Sequence, residues 1–161
     1  MRILAIDPGN QQSAYALLDA NLRPVKFAKK PNVEVMMDCI DILLKDTKEK
    51  DKTVVVIEMI ASYGMAVGRE VFETCVWIGR FVERLAPESY KFIYRREEKE
   101  NLCGNMKAKD SNIRQALIDR FGIVGTKKNP GWFYGVSKDV WAAIAVGVTY
   151  YDKFEAERRF K

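Results

Sequence analysis

Histidine is missing from the chain altogether. Its absence removes Ser-His-Asp and Cys-His nucleophile schemes, imidazole general bases and the usual zinc ligand sets. Any catalysis must therefore run on carboxylates, lysines, hydroxyls or a metal held by oxygen. Cysteine is scarce, and Cys39, Cys75 and Cys103 have no C-x-x-C spacing for zinc or a redox disulfide, so reduced thiols are expected. Long apolar runs are lacking too. No stretch approaches the ~18 to 20 residues of a membrane span, and Met1-Arg2-Ile3-Leu4-Ala5-Ile6 meets Asp7 before a secretory apolar region can form. These absences predict a soluble, cytoplasmic protein with no membrane partner.

What is present suits one globular domain spanning residues 1–161, with 48% hydrophobic and 30% charged residues. No internal repeat or low-complexity segment interrupts it. The net charge of +5 is uneven: residues 1–90 carry 12 Lys and Arg against 13 Asp and Glu, residues 91–161 carry 15 against 9. A basic half beside a near-neutral half predicts one electropositive surface, and nucleic acid is the commonest polyanion for such a surface. Simple solubilisation accounts for the same charges equally well.

Two short apolar segments, Arg2 to Ile6 and Ser13 to Leu18, flank the Pro8-Gly9-Asn10 turn signal and read as antiparallel strands, with Pro24 to Lys30 as a third. From Asn32, a plausible N-cap, to about Lys48 the apolar residues recur at helical spacing, and a polar loop over Lys48 to Lys52 follows. Thr53 to Ile57 is continuous and β-branched, the pattern of a strand buried on both faces. A helix over about Ala66 to Leu85 has an apolar surface wider than one core-facing stripe. Tyr90 to Tyr94 reads as a strand, Arg95 to Glu100 as a charged connection, and Asp110 to Phe121 as a helix stopped by Gly122. A long loop and a last helix, from Ser137 or Lys138 to about Ala156, complete an α/β order with three strands leading.

Three acids occupy positions where folding does not ask for one. Asp7 follows the first strand, Glu58 directly follows five apolar or β-branched residues, and Asp139 opens the last helix. Carboxylates at the edge of a buried sheet repel one another and lose hydration, so a cation between them is the economical arrangement. Oxygen-only ligation points to Mg²⁺ or Mn²⁺. Taken singly, Asp139 is accounted for by the helix start and Asp7 by the turn. Glu58 is harder to assign to folding, because glutamate has little strand propensity.

Ile6-Asp7-Pro8-Gly9 before a second strand, Val55-Val56-Ile57-Glu58 before a loop and long helix, and Asp139 by an alanine-rich last helix together resemble the RuvC-type Holliday-junction resolvases, most of all the shorter phage and prophage members. The resemblance spans nearly the whole chain. It implies an RNase H-like fold with a five-stranded mixed sheet, first three strands antiparallel, flanked by helices. It also implies a homodimer that resolves four-way DNA junctions as an endodeoxyribonuclease, and a cytoplasmic location in a bacterial host. Two Mg²⁺ ions per site are implied, Mn²⁺ substituting. Asp7 would bridge ions about 4 Å apart, with Glu58 and Asp139 each completing one shell, one ion activating water and the other stabilising the leaving 3′ oxygen. The products implied are a 5′-phosphate and a 3′-hydroxyl. The family places two acids three residues apart at the last helix. Here either Val136 or Ala142 stands where the second acid is expected, and Glu70, Glu73 or a water could fill the gap.

For DNA binding the sequence offers Arg95, Arg96, Lys107, Lys109 and Arg114 after the fifth strand. Lys127, Lys128 and Lys138 flank Trp132-Phe133-Tyr134, aromatics that either stack on opened bases or fold back on the core. Tyr63 follows Glu58 in a loop where the family uses an aromatic. The helix over residues 66–85 is the expected dimer surface, unless its own subunit buries it. Rival readings are an RNase H-like nuclease acting on flaps, three-way junctions, forks or structured RNA, an actin-like ATPase, for which one such domain is too few, and a non-catalytic DNA-binding module.

Overall fold

The computed structural model of the chain describes residues 1–46, 53–85 and 89–159. The loop expected over Lys48 to Lys52 lies outside them. Three strands come first, β1 (Arg2–Asp7), β2 (Gln12–Leu18) and β3 (Pro24–Pro31), followed by helix α1 (Asn32–Asp46). Then come β4 (Thr53–Met59), α2 (Arg69–Leu85), β5 (Lys91–Tyr94), α3 (Arg95–Cys103), α4 (Asp110–Phe121) and α5 (Val140–Arg159). The strands form one mixed sheet in the order β3-β2-β1-β4-β5. β1, β2 and β3 are antiparallel neighbours, whereas β4 runs parallel to β1 and β5 parallel to β4. Lysines 26, 29 and 30 on β3 protect that edge from pairing with another sheet.

Alternation along the strands divides the core in two. Leu4, Ile6, Tyr15, Leu17, Val55 and Ile57 meet Val35, Cys39 and Ile42 of α1 and Ile78 and Phe81 of α2 on one face. Ile3, Ala5, Ala14, Ala16, Leu18 and Val56 meet α4 and α5 on the other. Small residues let α5 sit close to the sheet: a Cβ on Gly147 would come within 2.6 Å of Leu18 Cδ1 and 3.2 Å of Ala5 Cβ.

Several boundaries differ from the sequence reading. β4 continues through Glu58 to Met59, α2 begins at Arg69 rather than about Ala66, and α5 begins at Val140, leaving Asp139 just ahead of it. The charged connection after β5 is in fact a helix, α3. Glu97 Oε2 accepts from the backbone N–H of Tyr94 at 2.7 Å at its start, and Gly104, at φ 60, closes it with an N–H to the Glu100 carbonyl. The loop aromatics fold back: Phe133 is fully buried and Trp132 stacks on Phe121 at 5.6 Å, while Tyr134 stays exposed. Among the described residues no helix is long and apolar enough to cross a membrane.

Candidate functional site

The two-residue period of the strands decides where the acids point. Ile6 and Ile57 are paired across β1 and β4 and face α1 and α2, so the next residues, Asp7 and Glu58, turn to the α5 face side by side. Both are partly buried at the cleft wall, and their carboxyl groups lie within hydrogen-bonding reach of each other. Burial first, then the charge of Glu58, hold the Asp7 carboxyl well above the usual carboxylate range, and Asp139 adds to the effect. Burial raises Glu58 as well, opposed by its hydrogen bond from Asp7 and by the Arg95 charge. The pair therefore shares a proton when no cation is present, with Asp7 as donor.

Asp139 lines the same cleft of about 250 Å³ as Asp7 and Glu58, together with Ala142, Lys138 and Arg95. Its carboxylate is paired with the Lys29 ammonium, reaching over from the β3 edge. As the side chains stand, no three acidic or cysteine groups among the described residues are close enough to hold one ion. The structure thus brings two of the three acids into contact and the third to the same cleft, turned toward a lysine. It also separates the two alternatives for the missing acid: Val136 is buried in the core, whereas Ala142, one helical turn from Asp139, lines the cleft. Glu70 and Glu73 are not among the cleft residues, and Glu73 is engaged by Asn10 and Arg69.

A closed ring of hydrogen bonds fixes the turn that follows Asp7. Gly9 N–H donates to Ser13 Oγ at 3.1 Å, Ser13 donates to Asn32 Oδ1 at 2.6 Å, and Asn32 Nδ2 donates to the Gly9 carbonyl at 2.9 Å. Asn32 thus spends its side chain on this turn. Gly9 has no room for a side chain, since a Cβ there would lie 2.2 Å from the Gln12 carbonyl oxygen. Gly9→Ala is expected to open the turn at a cost of about 1–3 kcal/mol, read by urea denaturation, an overpacking penalty of ordinary size.

Acids that sequence reasoning missed lie on α3 and α4. Arg95 Nη1 donates to Glu98 Oε2 at 2.6 Å and Nη2 to Asp110 Oδ1 at 2.5 Å. Glu98 is fully buried, and burial followed by the Glu58 charge pushes its carboxyl up to about 9. Nothing in residues 95–103 marks it, because a glutamate fills the inward position where periodicity looks for an apolar residue.

The expected DNA-binding residues are split. Arg95 and Lys138 line the acidic cleft, and Lys138 continues into a neighbouring groove with Arg114, whose guanidinium lies over the Trp141 ring. Tyr63, in the left-handed region at φ 49, shares a further groove with Arg95 and Arg96. Lys107 and Lys109 line a separate groove by the start of α4. Lys127 and Lys128 sit on a tight loop closed by the Gly125–Pro130 bridge, apart from the cleft residues.

No protein-family model matches the chain, and no curated protein matches it in sequence. Solved structures do. RuvC of Thermus thermophilus in complex with a Holliday junction substrate superposes with a TM-score of 0.64 at 17% identity, over 96% of both chains. A second Thermus thermophilus RuvC structure gives 0.61 at 15% identity, over 96% of this chain and 97% of that one. The five-stranded mixed sheet with its helices is therefore the RNase H-like fold of those structures.

Proposed function

We propose that this chain is a structure-selective endodeoxyribonuclease that resolves four-way DNA junctions by metal-assisted phosphodiester hydrolysis. The observation that carries the reading is the adjacent, partly buried pair Asp7 and Glu58 with Asp139 on the same cleft, in a fold shared over 96% of the chain with a RuvC solved in complex with a Holliday junction substrate. Two adjacent, partly buried carboxylates that must share a proton form a hard, oxygen-only site, and such a donor set suits Mg²⁺ or Mn²⁺. Asp7 and Glu58 would hold the cations, two per site, and Asp139 would join them on giving up Lys29. Bound there, the divalent ion supplies Lewis acidity that eases deprotonation of water and offsets charge on the leaving 3′ oxygen. Asp7 and Glu58 fix its position from rigid strands, and Lys138 and Arg95 attract the phosphodiester to the cleft. The products would be a 5′-phosphate and a 3′-hydroxyl.

A twofold dimer would match the two cleavage points of a junction. The exposed side of α2 supports one: Phe72 and Val76, a turn apart, are each 63% exposed. Phe72→Glu is expected to turn a dimer into a monomer in sedimentation while leaving far-UV circular dichroism unchanged.

The deciding experiment offers the protein four-way, three-way, flap and linear DNA, and structured RNA, with Mg²⁺ or Mn²⁺. The reading expects four-way DNA to be cut fastest. Equal or faster cutting of flaps or RNA would move the chain to a broader RNase H-like nuclease, and binding without cutting would make it a DNA-binding module.

A further inference from the structure

Arg95 opens α3 at the edge of the acidic cleft, and its two carboxylate partners are not equivalent. Glu98 is completely buried, whereas the Asp110 side chain is 86% exposed. A contact with an exposed carboxylate is weak and exchanges readily, while a buried partner cannot be surrendered without leaving buried polar groups unpaired. Glu98 is thus the permanent anchor of the guanidinium and Asp110 a replaceable one. Of the five N–H donors of a guanidinium, these two contacts use two. Glu98 also keeps Oε1 without any hydrogen-bond partner, an arrangement that folding alone does not reward. Meanwhile Ala142 stands in the cleft at one of the two positions where the resemblance implies an acid, and the Arg95 guanidinium lines the same cleft.

We propose that Arg95 is a catalytic residue: on substrate binding its guanidinium exchanges Asp110 for a non-bridging oxygen of the scissile phosphate, with Glu98 as the buried positioning residue. The proposal rests on the nuclease reading and adds a residue to it. In the step it serves, a water oxygen bonds to phosphorus and the bond from phosphorus to the 3′ oxygen breaks. The electron pair leaves on the 3′ oxygen, which takes a proton from solvent, and the attacking water gives its proton to solvent. The guanidinium stays protonated throughout and acts by charge and hydrogen bonds on oxygens that gain negative charge in the transition state. The planar fork matters, because a lysine would offer only a point charge.

The test compares Arg95→Gln, Arg95→Lys and Glu98→Gln in the full chain. It measures single-turnover cleavage of junction DNA at saturation, DNA affinity, and Mn²⁺ binding to the protein alone by electron paramagnetic resonance. Arg95→Gln should slow cleavage about 10²- to 10³-fold, the size of effect of one lost transition-state donor. Mn²⁺ should bind as tightly as before or more tightly, since a positive charge facing Asp7 and Glu58 has gone. Arg95→Lys should recover only a small part of the rate. Glu98→Gln should slow cleavage about tenfold with DNA affinity and Mn²⁺ binding unchanged, a split that a merely structural role would not give. The double variant Arg95→Gln, Glu98→Gln leaves no buried carboxyl without its arginine and should show the full loss. Wild-type cleavage by Arg95→Gln at saturating DNA would overturn the proposal by reducing Arg95 to a backbone contact. Joint loss of Mn²⁺ binding and cleavage would overturn it by making Arg95 part of the scaffold. Wild-type protein that binds Mn²⁺ and cuts no nucleic acid would sink the nuclease reading itself, a result separate from any variant.

Discussion

Asp7→Asn or Glu58→Gln is expected to stop cleavage and at the same time to stabilise the metal-free protein. The first effect follows from the loss of a cation ligand, which removes several kcal/mol of transition-state stabilisation, at least about 10³-fold in rate. The second follows from the electrostatics of the empty cleft. Asp7 and Glu58 lie side by side, partly buried, and one of them keeps a proton because the two cannot both ionise cheaply. An amide at position 7 donates the hydrogen bond that the shared proton now makes and carries no charge. The expected gain is about 0.5–2 kcal/mol, the usual yield of relieving a functional site, seen as a rise of a few degrees in melting temperature. A variant that melts lower than wild type, or still cuts, would contradict this account of the pair.

Divalent cations should stabilise the wild-type protein, and the effect should grow steeply with pH. Asp7, Glu58 and Glu98 all have carboxyl groups raised by burial and by one another, Glu98 to about 9. In the unfolded chain such groups release their protons near pH 4. Between about pH 4 and pH 9 the folded metal-free protein therefore binds more protons than the unfolded chain, and its stability falls as pH rises through that window. A divalent ion replaces the proton held by the Asp7 and Glu58 pair. At a hundredfold excess over its dissociation constant it adds about 2.7 kcal/mol, or about 5–10 °C in melting temperature for a chain of this size. At pH 5 protons compete with the ion for the pair, and the shift should be smaller than at pH 8. Melting curves at pH 5 and pH 8, with and without Mg²⁺, check both points; an equal shift at the two pH values would mean that the ion binds elsewhere.

Strand pattern and the two chemically conspicuous strand acids were readable from sequence. Thr53 to Ile57 is so uniformly β-branched that Glu58 stands out, and the register pairing Ile6 with Ile57 then puts it on the same face as Asp7. What could not be read is the environment that gives those acids their chemistry. Helix α3 escaped detection because residues 95–101 are charged or polar and its one fully buried position, Glu98, is an acid. Periodicity finds helices through the apolar stripe they bury, and α3 buries an ion pair instead. Asp110 was legible as a helix start but not as an arginine partner, since that contact joins two helices 15 residues apart. The Lys29 pairing of Asp139 joins residues 110 apart, a contact that only the folded sheet creates. Ala142 and Val136 were equivalent candidates in sequence and are separated by one fact of packing, the burial of Val136 in the core.

The most direct measurement is the anomalous diffraction of a crystal soaked in Mn²⁺. The account predicts a peak about 2.0–2.3 Å from carboxylate oxygens of both Asp7 and Glu58, with Asp139 released from Lys29 and turned toward the ion. A saturated crystal with no peak between Asp7 and Glu58 would contradict it.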